Sequence, residues 1–257
     1  MTDPSGESTS TPSPARESLL LAMDTSGPAG TVALARGDTL LAERRFDLHQ
    51  KHAQVLLPGI RDLLAEAGVA ARDVDVVGVS EGPGSFTGLR VGVMCAKTLA
   101  YATGARLVAI GTLAAIYRTV LGDAAVDRGV WVVENAQRGD VFALHVASGT
   151  VPGGDAGPLR VMSAGDLRAT LEPGDLVIGP GRSLLEELPD RPLEAWTPLA
   201  PTELHPASRP SGRSLIRMAR ELVEQGKFAD PWTLEPAYLR RSAAEDQWLA
   251  RKGNTVG

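Results

Sequence analysis

Apolar side chains fall in short runs along this chain, and their spacing switches between strand-like and helix-like. Residues 19–23 are a continuous apolar run closed by Gly27-Pro28, and 31–35 and 40–46 flank a Gly37-Asp38 hairpin signal. The stripe Val55, Leu56, Ile60, Leu63, Leu64 and Ala67 predicts a helix ended by Gly68, with a kink at Pro58. Residues 74–79 form a run of the kind buried on both faces, and a glycine-rich turn then opens a helix from about 85 to 103. A strand at 106–110 and a helix at 112–121 follow. The second half is looser: strands at 130–133 and 140–146 around Arg138-Gly139, then a short helix capped by Ser163. A strand at 175–178 and a short helix at 184–188 come next. Proline-rich residues 189–210 read as a linker, and Ser211 caps a helix with the stripe Leu215, Met218, Ala219, Leu222 and Val223.

Three strands followed by alternating helices and strands is the order of a ribonuclease-H-like layer, and its looser repetition suggests duplication. The expected fold is therefore α/β: an actin-like, two-lobed arrangement of mixed sheets flanked by helices. Its expected divisions are a disordered tail at 1–17, a first lobe at 18–125 and a smaller lobe at 126–210. A helix and tail at 211–257 are expected to pack back on the lobes.

Composition narrows the possible chemistry. The 257 residues carry a net charge of −5 and one cysteine, so an internal disulfide framework and cysteine-based zinc modules are excluded. Eleven aromatic residues leave little for base-stacking platforms. The longest apolar stretch, 107–117, is about half of what a spanning helix needs, and the run at 19–23 is too short for a secretory signal core. No membrane association is expected, and a cytoplasmic location is the default.

The most informative string is Glu81-Gly82-Pro83-Gly84-Ser85-Phe86-Thr87-Gly88-Leu89-Arg90. Its glycines surround a strand-to-helix junction where Ser85 or Thr87 can cap, and such a helix start can also hold an anion. The spacing matches neither phosphate loop nor dinucleotide fingerprint, so a tight structural turn outweighs a phosphate site. In the following helix, Gly88, Gly92, Ala96 and Ala100 form a small-residue row that permits close approach of another helix.

Residues 82–92 resemble the signature of the TsaB/YeaZ family. The likeness extends to Met23-Asp24-Thr25-Ser26, Val32-Ala33-Leu34, His52-Ala53-Gln54 with Leu57-Pro58, and Pro236-Ala237-Tyr238-Leu239-Arg240. The resemblance implies an actin-like subunit without catalytic activity of its own, with no cofactor and no metal. Its implied partner is a TsaD-like catalytic subunit, which forms threonylcarbamoyladenosine in tRNA; a TsaE-like ATPase joins the larger complex. Contact with tRNA would be indirect, and a homodimer is expected when the chain is alone. The family motif residues here are Gly82, Pro83, Gly84, Ser85, Phe86, Thr87, Gly88 and Arg90. The expected partner interface is Val55, Leu56, Ile60 and Leu63 with Gly88, Leu89, Gly92, Val93, Ala96 and Ala100, so that Gly92→Leu or Val93→Glu would block docking.

The rival is an autonomous enzyme of the same fold, a small-molecule kinase or metal-dependent peptidase. Asp24 ends the first strand, where actin-like kinases keep a carboxylate. However, the turn after it has no basic grip, and Asn135-Ala136-Gln137 replaces the family's usual Asp-Ala-Arg. Glu134 is expected to point to the opposite face of its strand. His49 and His52 do not match the H-x-x-x-H of the catalytic relatives, and no carboxylate completes a triad with them. Cys95 reads as packing. Residues 203–257 carry a net +2 against −7 for those before them. Arg209, Arg213, Arg217 and Arg220 could meet phosphate, but the i,i+4 pairs Arg217–Glu221 and Arg220–Glu224 favour a solvated face.

Overall fold

A computed structural model describes residues 17–46, 51–153, 158–188 and 209–240. The tail before residue 17, nearly all of the 189–210 linker, His49 and His205 lie outside them. The first sheet has the order β3-β2-β1-β4-β5. Its strands are β1 (Leu19–Asp24), β2 (Gly30–Arg36), β3 (Thr39–Phe46), β4 (Val76–Gly82) and β5 (Arg106–Gly111). The β1–β2–β3 meander is antiparallel, while β4 and β5 join in parallel with Met23 opposite Val79 and Ser80 opposite Ile110. β1 is buried along its whole length, as its unbroken apolar run requires for a central strand covered on both faces.

The second sheet repeats the scheme in the order β8-β7-β6-β9. Its strands are β6 (Val130–Gln137), β7 (Asp140–Val146), β8 (Arg160–Ser163) and β9 (Leu176–Ile178). The sequence pattern missed β8, whose four residues are half-buried or exposed and carry no apolar alternation strong enough to read. Both sheets share an antiparallel hairpin joined to a parallel strand, and the actin-like α/β reading of the sequence holds.

The helices are α1 (His52–Glu66), α2 (Phe86–Thr103), α3 (Thr112–Leu121), α4 (Ala164–Thr170), α5 (Arg182–Glu186) and α6 (Gly212–Glu224). α1 runs through the exposed Pro58 as one helix. Ser85, Ser163 and Ser211 each cap a helix, accepting the backbone N–H of Gly88, Asp166 and Ser214. α2 ends at Gly104 with φ +75°, a left-handed C-cap that favours glycine.

α1 and α2 pack on one face of the first sheet, around Leu21, Met23, Val77 and Val79. The other face meets α3 and α6 in a core shared by the two sheets, where Leu215, Met218 and Leu222 join Ala22, Val108, Val132 and Ile178. After α6 the chain turns back as a strap along α2. Ala229 N–H donates to the Leu107 carbonyl at 2.8 Å, Lys97 Nζ to the Leu234 carbonyl at 3.0 Å, and Ala237 N–H to the Glu81 carbonyl at 2.7 Å.

Candidate functional site

The turn leaving β1 is gripped by the glycine-rich junction that opens α2. Thr25 Oγ1 donates to the Gly88 carbonyl at 2.7 Å, and Ser85 N–H donates to the Ser26 carbonyl at 2.6 Å. A Cβ on Gly84 would overlap the Ser26 carbonyl, one on Gly88 the Thr25 carbonyl, and one on Gly92 the Thr25 hydroxyl. Gly84, Gly88 and Gly92 are thus required by the turn leaving β1. On the other side of the turn, a ring nitrogen of His52 lies 2.7 Å from the Gly27 carbonyl, so this histidine anchors backbone. The Gly82–Pro83 bond is cis.

The remaining motif residues anchor the strap. Phe86 packs on Tyr238 with ring centroids 4.8 Å apart. Arg90 lies 4.1 Å over the Phe86 ring and donates from Nε to the Tyr238 hydroxyl at 2.8 Å. Thr87 of the motif is exposed and lines the cavity between the two sheets.

A cavity of about 600 Å³ lies between the two sheets. Residues 26–28 and 84–87 line one side, 134–138 with Phe142 and Pro180 the other, and Arg209 and residues 237–240 complete it. Glu134 therefore lines the same cleft as Asn135 and Gln137, against the expectation that it points away. Beyond Asn135 the β6–β7 pairing shifts register, and Gln137 and Arg138 both take positive φ. Glu134 is buried; Arg209 Nη1 reaches its Oε2 at 2.5 Å and Asn135 N–H donates to its Oε1 at 3.0 Å. Burial pushes the Glu134 carboxyl above its ordinary range, and Arg209 pulls against that shift. Asp24, fully buried at the end of β1, is likewise pushed up by burial, against the nearby Ser26 and Ser80 hydroxyls, the Arg209 charge and the Ser26 N–H, 3.3 Å from Oδ1.

Arg209 is the residue that sequence reasoning misplaced. It does not extend a phosphate-facing row but enters the cleft. Arg217 pairs with Asp123 rather than Glu221, whose carboxylate takes Arg118 at 2.9 Å. Arg220 pairs with Asp38 and with Glu224, the latter as expected. The signal available for Arg209 was its place one residue before Pro210-Ser211, the entry to a helix that lies across β1 and β2. Among the described residues no group of three or more His, Cys, Asp or Glu side chains could hold a metal ion. Cys95 is half-buried, with its thiol pushed up to about 11 by burial, unsuited to nucleophilic work.

The expected partner-interface residues also need correction. Leu56, Ile60, Leu63, Gly88, Leu89, Gly92, Val93, Ala96 and Ala100 are all buried within this chain, and Val55 is half-buried. They hold α1 and α2 on the first sheet; Gly88 and Gly92 of the small-residue row admit the turn leaving β1, and Ala96 and Ala100 sit in the core under the helix. Gly92→Leu and Val93→Glu would damage the core and cannot probe docking. The faces left open carry Leu57 (59% exposed) on α1 and Arg90, Met94 (63%), Thr98 and Tyr101 (71%) on α2. Trp232 of the strap extends the second face, edge-on to Tyr101 with centroids 5.3 Å apart.

Known proteins resemble this arrangement over nearly the whole chain. A family model described as TsaD, tRNA N6-adenosine threonylcarbamoyltransferase, matches residues 47–150. The Bacillus subtilis tRNA threonylcarbamoyladenosine biosynthesis protein TsaB is 29% identical, over 90% of this chain and 97% of its own. An uncharacterised protein of Mycobacterium tuberculosis is 32% identical, over 89% of this chain and 94% of its own. The solved structure of YeaZ from Pseudomonas aeruginosa superposes with a TM-score of 0.67 at 26% identity, covering 86% of this chain and all of that one. With the strand, turn and helix that carry the signature now placed in the fold, the chain belongs to the TsaB/YeaZ family.

Proposed function

We propose that this protein serves tRNA threonylcarbamoyladenosine biosynthesis as a non-catalytic subunit, docking a TsaD-like transferase through the open faces of α1 and α2. The observation that carries the reading is the near full-length likeness to the Bacillus subtilis biosynthesis protein. The transferase model that matches 47–150 spans both helices, so the two kinds of subunit share the elements invoked here. Exposed Leu57, Met94 and Tyr101 supply an apolar contact that a related helix pair can cover. The motif supports a structural role as well: Ser85 and the glycines at the start of α2 are engaged by Thr25 and Ser26.

Co-expression with a TsaD-like subunit tests the reading. We expect a complex on sizing, lost with Met94→Glu or Leu57→Glu while the free variants keep their melting behaviour. Retention of the complex in both variants would place the contact elsewhere. Metal-dependent ATP turnover by the purified chain alone, abolished by Asp24→Asn, would instead favour an autonomous enzyme. The TsaE-like ATPase and a homodimer of the free chain remain part of the proposal, checked by the same sizing with and without each partner.

A further inference from the structure

Two arginines from opposite ends of the C-terminal segment converge on the hairpin between β6 and β7. Arg209 is anchored to the first lobe. Thr31 Oγ1 donates to the carbonyl of the adjacent Pro210 at 3.1 Å, and Gly212 N–H donates to Glu43 Oε1 at 3.0 Å. Its guanidinium packs so closely on Gly27 that a Cβ there would overlap it, and it reaches across the cleft to Glu134 at 2.5 Å. Arg240 comes from the strap, which is tied to the first lobe by Ala237 to Glu81 and by Tyr238 to Arg90. From there Nη1 donates to the carbonyls of Ala136 (2.8 Å) and Gln137 (2.9 Å) and to Asp140 Oδ2 (3.0 Å).

We propose that Arg209 and Arg240 form a two-armed clasp that holds the β6–β7 hairpin against the first lobe and sets the width of the inter-lobe cleft. Each arm is a charge-assisted contact from a segment rooted in one lobe to a side chain or carbonyl of the other, the class of hydrogen bond that contributes most. The Glu134 arm is shielded from water, so removing the guanidinium leaves a buried carboxylate without its cation. The Arg240 arm is continuous with the strap on α2, which links the hairpin's hold on the first lobe to the strap's seat on that helix. The hairpin tip held in this way is the turn where Gln137, Arg138 and Gly139 all take positive φ.

Paired spin labels across the cleft read the clasp directly. Thr87→Cys on α2 and Ser183→Cys on α5 are exposed sites in the two lobes, labelled in the full chain carrying Cys95→Ala. A single narrow distance distribution is expected with both arginines present. Arg209→Ala and Arg240→Ala should each broaden it, and the double variant should shift its mean to longer distances by several ångström. A distribution in the double variant that superposes on the parent would overturn the clasp. Should Arg209→Ala fail to fold, Arg240→Ala alone carries the same two outcomes, because its side chain is partly exposed and its loss leaves no buried charge unpaired.

Discussion

At the scale of single residues, the interlock of Thr25 with Gly88 and Gly92 gives the closest approaches to a glycine among the described residues. A methyl at Gly88 meets a backbone carbonyl that cannot swing aside, so Gly88→Ala should cost about 2–3 kcal/mol in denaturant unfolding, in the range of overpacked cores. Gly104→Ala, with positive φ but open space around it, should cost only about 1 kcal/mol. Equal costs at the two sites would remove the interlock. Asp24 gives a second prediction, in pH. Its carboxyl is held above the ordinary aspartate value of 3.8, so the folded state keeps a proton that the unfolded chain releases. Stability attributable to this group therefore falls as pH rises from near 3.8 through the folded value and levels off beyond it. Glu134 and Glu81 are raised as well and add the same sign. Asp24→Asn should flatten that slope in melts recorded across the window, and an unchanged slope would exclude Asp24 as its source. The sequence announced Asp24 as a strand-end carboxylate and the glycines as a junction. It did not reveal that each glycine answers to a named atom of Thr25 or Ser26, because those contacts join positions about sixty residues apart.

At the scale of elements, α2 shows what a periodic pattern can and cannot specify. From Gly88 to Tyr101 its only charged residues are Arg90 and Lys97, and a helix apolar nearly all round calls for burial on more than one side. Which side belongs to the chain's own sheet was not legible: the small-residue row and the Met94–Tyr101 face are both compatible with a close neighbour. The strap decides the matter for part of the second face, and it too was visible only as a patch of family-like residues at 236–240. Tyr238 is the strap's main fastening, through Phe86 and Arg90. Tyr238→Ala should speed proteolytic cleavage within 228–240 and lower stability by about 1–2 kcal/mol, the size of an aromatic pair plus one hydrogen bond. Tyr238→Phe keeps the ring and should show only a fraction of either effect. Identical cleavage of all three chains would mean that the backbone bonds of Ala229 and Ala237 suffice to seat the strap.

At the scale of the whole molecule, the two sheets are not independent bodies, since one core runs between them and α6 supplies part of it. Leu215, Met218, Ala219 and Leu222 pack on the first sheet and α3 within one core cluster that also takes in Val130, Val132 and Ile178 of the second sheet, and Arg118 on α3 holds Glu221 of α6 from the side. The first lobe was the more legible half because its strands are long and uninterrupted. The second lobe has strands of three and four residues, where pairing rather than pattern decides what forms. A short strand of that kind gains its stability from the core beneath it, and here part of that core, at Leu176 and Ile178 of β9, is continuous with the cluster that α6 helps to fill. Met218→Ala should therefore cost about 2–5 kcal/mol, as truncations at fully buried positions do, and it should be felt equally in both lobes. Amide exchange measured at β1 and at β6 is the test: protection should fall by the same factor in the two strands. A fall confined to either strand would show that the lobes unfold separately and that α6 belongs to one of them alone.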